Sequence, residues 1–130
     1  MTPEERIAVM RRGASVLRSI EAARRAALPP PEEDSLTSLS ALRDVMGLAD
    51  RIEMWLEMES TDPMMVYARD AGLSSAFDPY DQDLLESLEP EAGGREAQGS
   101  FREFRALVER YVAREFWPPD SYFNISTPEP

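Results

Sequence analysis

Leu42, Val45, Ala49, Ile52 and Leu56 follow one another at alternating intervals of three and four residues. That spacing keeps returning to one side of a 3.6-residue turn and fits neither face of a strand, so it commits residues 36–59 to a long amphipathic helix. Leu39, Met46, Leu48 and Trp55 widen the seam until much of the circumference is apolar, which predicts a central helix touched from several sides. Gly47 within it costs about 1 kcal/mol relative to Ala and is expected to admit a neighbouring helix at close range.

The rest of the chain is punctuated in the same helical grammar. Thr2 as cap, Pro3 at the first position and Glu4 and Glu5 at the positive end of the dipole start a helix over 3–26, with apolar rows on Ile7, Met10, Ala14, Leu17 and on Val9, Val16, Ile20, Ala23. Asp62-Pro63 opens a short helix over 63–71 that Gly72 stops, and Asp78-Pro79 opens another over 79–88 before Pro90. Ser100 and Glu103 form a capping box for a last helix over 101–116. Between these lie a proline linker at 28–34, a glycine-rich stretch at 90–99 expected to be a mobile loop, and a tail at 117–130. No strand alternation and no internal repeat appears. The expected fold is all-α: one small bundle of about five helices, the first, second and last packed together and two short ones joining them.

The tail carries Tyr122, Phe123 and Ile125 beyond the helix-stopping Pro118 and Pro119. Apolar groups on an uncovered tail invite aggregation, so it is expected to pack as an extended strap on its own bundle, its outer end adding to a surface offered to a partner.

Side-chain chemistry narrows function more than fold. All 14 basic residues are Arg, while Lys, His and Cys are absent. Serine triads, thiol nucleophiles, Schiff bases, lysine-dependent phosphate loops and zinc sites of His or Cys therefore cannot be built. Arg in place of every Lys matches the codon bias of a GC-rich genome and points to a bacterial or phage source. No charged-then-apolar leader and no apolar run near the roughly 18 residues of a membrane span is present, so a cytoplasmic location is expected.

Carboxylates remain. Asp78, Asp81, Asp83, Glu86 and Glu89 lack the central glycine of a calcium loop and read as helix-start acids. Asp50, Glu53 and Glu57 share one face of the second helix, as a Mg²⁺-dependent hydrolase would require, but no matching acid pair is evident on another helix. No catalytic, metal or cofactor-binding residue is assigned.

The net charge of −11 is unevenly spread. Residues 1–27 hold six Arg against three Glu (+3), residues 28–100 seventeen acids against four Arg (−13), and residues 101–130 five acids against four Arg (−1). The basic helix is expected to pack on the acidic middle, which leaves a solvated acidic face, in preference to meeting another molecule, and direct nucleic-acid binding is opposed by the overall acidity. Arg11, Arg18 and Arg25, seven residues apart, form one candidate partner face. Five of seven methionines fall between residues 46 and 65, and Met54, Trp55 and Met58 form a second, although core filling is the commoner role for Met. Trp117, Tyr122, Phe123 and Ile125 form the third. The leading expectation is a non-enzymatic protein–protein interaction module, an adaptor, inhibitor or assembly subunit, bound to another protein as a hetero-complex or homo-oligomer. Its alternatives are an acidic nucleic-acid mimic that blocks a DNA- or RNA-binding enzyme and, behind that, the Mg²⁺-dependent hydrolase.

Overall fold

The computed structural model describes residues 1–28, 36–58 and 62–117. Among them are five α-helices and no strand: α1 (Pro3–Ala26), α2 (Leu36–Leu56), α3 (Pro63–Ser75), α4 (Pro79–Leu88) and α5 (Arg95–Val112), with a 3₁₀ turn at Glu89–Glu91 before α5. The protein is an all-α helical bundle. No helix among the described residues is long and apolar enough to cross a membrane.

The starts form where capping chemistry places them. Thr2 accepts the Glu5 amide at 3.1 Å, Asp62 the Met64 amide at 2.8 Å, and Asp78 and Asp81 exchange a reciprocal pair at 2.8 and 3.1 Å. Asp81 also accepts Arg51 Nη2 at 3.0 Å, which ties α4 to α2.

The layout is α2–α1–α5, with α1 between two neighbours and α3 and α4 bridging from α2 to α5. Both long neighbours run antiparallel to α1: Arg18 meets Glu53 while Arg25 meets Met46, and Arg6 meets Tyr111 while Arg24 meets Glu91. The core is built from Met10, Leu17 and Ile20 of α1, Val45, Leu48 and Ile52 of α2, Leu73 of α3, Leu85 and Leu88 of α4, and Phe101, Phe104 and Tyr111 of α5. The central helix is thus α1, not α2, because α1 is flanked on two sides by long helices whereas α2 meets only α1 and α3 closely.

Four boundaries differ from the sequence expectation. First, α2 ends at Leu56, where Arg11 Nη2 caps the Leu56 carbonyl at 3.2 Å. Second, α3 continues through Gly72 to Ser75, since Gly72 serves there as a seat for the Trp55 ring, which a Cβ would overlap. Third, α5 begins at Arg95 after Gly94, whose φ of 107° suits only glycine, so half of the expected loop at 90–99 is helix and Ser100 is interior. Fourth, α5 stops at Val112, not 116. Arg114 turns left-handed with φ 61°, its amide bonds Tyr111 O at 2.9 Å, and the Glu115 amide bonds Arg110 O at 3.1 Å, a Schellman reversal. The glycine expected to admit a helix, Gly47, has open space above it; that role belongs to Gly13, whose Cβ would overlap the Phe104 ring. Most of the proline linker and the tail from Pro118 onward lie outside the described residues.

Candidate functional site

Arg11, Arg18 and Arg25 share a face of α1 because seven residues are nearly two turns, and that face lies against α2. Arg18 is the hub. Its Nη2 reaches Asp50 at 2.6 Å and Glu53 at 2.8 Å, its Nε donates to Glu53 at 2.9 Å, and its Nη1 reaches Glu21 at 2.8 Å. Hydrogen bonds to Glu53, then Asp50, then Glu21 hold its guanidinium well above the ordinary Arg range. Arg25 shares Glu21 at 3.0 Å and rests on the Met46 sulfur at 3.4 Å. The positive charge of the first helix is therefore engaged by acids of the same chain. Arg24 extends this with Glu91 at 2.6 Å, which lowers the Glu91 carboxyl pKa through that hydrogen bond.

The same hub bears on carboxylate chemistry. Asp50 and Glu53, two of three acids a Mg²⁺ site would need, hold a guanidinium instead. Among the described residues, no group of three or more acids is placed to hold a metal ion.

A second polar cluster is buried and had no signal in the sequence. Arg6 Nη2 donates to Asp70 Oδ2 at 2.8 Å and Arg6 Nε to the Tyr111 hydroxyl at 3.3 Å, while that hydroxyl donates to Asp70 Oδ1 at 3.3 Å. Burial pushes the Asp70 carboxyl up against the opposing pull of Arg6 and Arg69, and burial first of all pushes Tyr111 up to about 12. Phe116, returned by the Schellman turn, covers the cluster, its ring 4.9 Å from Tyr111 and 4.2 Å from the Arg6 guanidinium. Three elements far apart in sequence are joined here, which makes the cluster a structural clasp.

The methionine-rich segment divides. Met46 and Met58 are half-buried, and the Met58 carbonyl accepts Arg69 Nη1 at 2.9 Å. Trp55 is half-buried, wedged on Gly72. Met54 is 57% exposed, and Met64 and Met65 at the start of α3 are 53% and 39% exposed. With Met1 and Tyr80, these are the large apolar side chains left in solvent among the described residues. The α2–α3 corner thus carries apolar surface that the bundle does not use. Met64 and Met65 belong to it alongside Met54, and their spacing just after a Pro cap was the readable signal.

Trp117 stacks under the Arg114 guanidinium at 4.4 Å. Tyr122, Phe123 and Ile125 lie outside the described residues. No protein family, curated protein or solved structure matches this chain.

Proposed function

We propose that the protein is a non-enzymatic interaction module, an adaptor, inhibitor or assembly subunit, that seats another protein on the α2–α3 corner. The observation that carries this reading is the exposure of Met54 near the end of α2 and of Met64 and Met65 at the start of α3, three of the five large apolar side chains left in solvent among the described residues. Unbranched thioethers adapt to irregular partners, and a half-buried Trp is a common anchor in such surfaces. Arg18, Arg24 and Arg25 of α1 are held by Glu21, Asp50, Glu53 and Glu91, and with a net charge of −11 the uncompensated charge of the molecule is acidic. The fitting partner is an apolar segment flanked by cations.

The test is affinity capture from host extract with the wild type and with a Met54→Glu/Met64→Glu/Met65→Glu variant whose helicity is unchanged. A partner retained by the first and lost by the second is expected. An identical captured set for both would end the proposal.

One observation favours the nucleic-acid-mimic reading as a second: Asp83 and Glu86 are exposed on α4 with no ion pair among the described residues. A mimic binds through Coulomb attraction and releases steeply as salt rises, whereas a methionine-seated partner stays bound.

A further inference from the structure

We infer that two copies of this chain associate face to face through the surface formed by α1 and α5, centred on the groove between these helices. The groove holds about 480 Å³, with buried Val9 and Leu107 as its floor. Charge surrounds it in a fixed order. Glu5 and Arg12 stand seven residues apart on α1, Glu103 and Arg110 seven apart on α5, and all four are exposed and line the groove. The helices run antiparallel, with Arg12 3.6 Å from Glu103 and Arg6 bonded to Tyr111, so the same register sets Glu5 level with Arg110. Acid and base therefore alternate around the four corners of the groove. Each helix reverses sign about its own midpoint, at Ala8 and Val9 on α1 and at Ala106 and Leu107 on α5.

That order is what makes a second copy the fitting occupant. A two-fold contact lays a patch on its own image, turned either end for end or side for side about an axis in the interface. With alternating corners both turns bring every acid over a base: Glu5 meets the second copy's Arg12 in one and its Arg110 in the other, and Glu103 finds the remaining arginine. The corners also sum to zero in a molecule of net charge −11, so here two acidic copies meet without a local excess of like charge. Nothing bulky stands between them. Ala8 and Ala106 are the exposed side chains at the centre, and they let facing helices approach toward the short end of the usual separation of about 8–10 Å. The intramolecular Arg12–Glu103 pair is long, its side chains 52% and 65% exposed, and Arg110 stays 44% exposed beside Glu115, so these charges can be shared with a second copy. Two helix strips of about 10 Å make a contact well under the roughly 800 Å² a side of a standard interface, so the dimer is weak, with a Kd on the order of 0.1 mM.

Sedimentation velocity on the full chain between about 0.01 and about 1 mM tests this, and the wild type is expected to pass from monomer to dimer across that range. Glu5→Arg/Glu103→Arg makes all four corners basic, and Arg12→Glu/Arg110→Glu makes all four acidic. Each variant alone is expected to stay monomeric, whereas an equimolar mixture of the two is expected to recover the dimer, because every corner then meets its opposite whichever way the copies are turned. A wild type that stays monomeric to the top of the range overturns the inference. So does a mixture that stays monomeric while circular dichroism shows both variants folded, or a variant that dimerises alone as well as the wild type. If a double variant fails to fold, Glu5→Arg by itself is expected to weaken the dimer roughly tenfold, and an unchanged dimer refutes the contact. The α2–α3 corner is a separate surface: Met54→Glu/Met64→Glu/Met65→Glu is expected to dimerise as the wild type does, and a dimer lost in that variant would place the contact at that corner and refute it here.

Discussion

Arg6 is a charge placed where water cannot reach, and its cost is met by Asp70 and by the Tyr111 hydroxyl. Removing one partner of such a set strands the other, so Asp70→Ala is expected to lose about 3–5 kcal/mol in urea unfolding, while a joint Arg6→Met/Asp70→Leu change loses far less. The phenol gives a pH signature. Because Tyr111 is held at about 12 against an ordinary 10.0, the unfolded chain releases this proton first as pH rises. Folded stability should fall between those two values by roughly 2–3 kcal/mol, and Tyr111→Phe should flatten that slope. Alkaline unfolding followed by circular dichroism measures both. None of this was legible in the sequence, since Arg6 and Asp70 are 64 positions apart and each looks like an ordinary helix-surface charge.

At the scale of elements, helix identity was readable and helix ends were less so. The three proline-headed starts carry their own capping atoms, so they appear where a local rule puts them. The start of α5 does not: Arg95 to Ser100 has two residues of low helix propensity, and the stretch is helical because Phe101 and Phe104 are pinned in the core. Glycines show the same division, because a missing Cβ means a stop, a strain relief or a contact according to what lies opposite. Gly13 faces Phe104 and Gly47 faces solvent, so Gly13→Ala should cost about 1–3 kcal/mol and Gly47→Ala should gain about 1 kcal/mol by thermal melts. The reversal at Arg114 has φ 61° without being glycine, and Arg114→Gly is expected to stabilise by roughly 1 kcal/mol. Of the candidate surfaces, the arginine row was legible as a row, and the charge asymmetry favoured packing it on the acidic middle, but which acids would receive it was not legible. Its acceptors Asp50 and Glu53 had been visible as a separate row at matching pitch, and only the antiparallel packing of α1 on α2 brings the two together.

Over the whole molecule two electrostatic effects oppose each other. The α1 hubs draw helices together, whereas a net charge of −11 pushes the acidic faces of α2 and α4 outward. Salt separates them by distance. The hub contacts at 2.6–2.9 Å are no longer than the Debye length of about 3 Å at 1 M salt, so added ions weaken them less than they weaken longer-range repulsion. The repulsion of a net charge of −11 is summed over acids that are not in contact, and a Debye length that shrinks from about 30 Å at 0.01 M to about 3 Å at 1 M screens it first. The melting temperature should therefore rise when salt is raised from about 0.01 M to about 1 M, and Arg18→Gln should lower it at both ends of that range. A melting temperature that fell with salt would mean that the ion pairs outweigh the net repulsion, and that the acidity of this surface carries no stability cost for which a cationic partner would compensate.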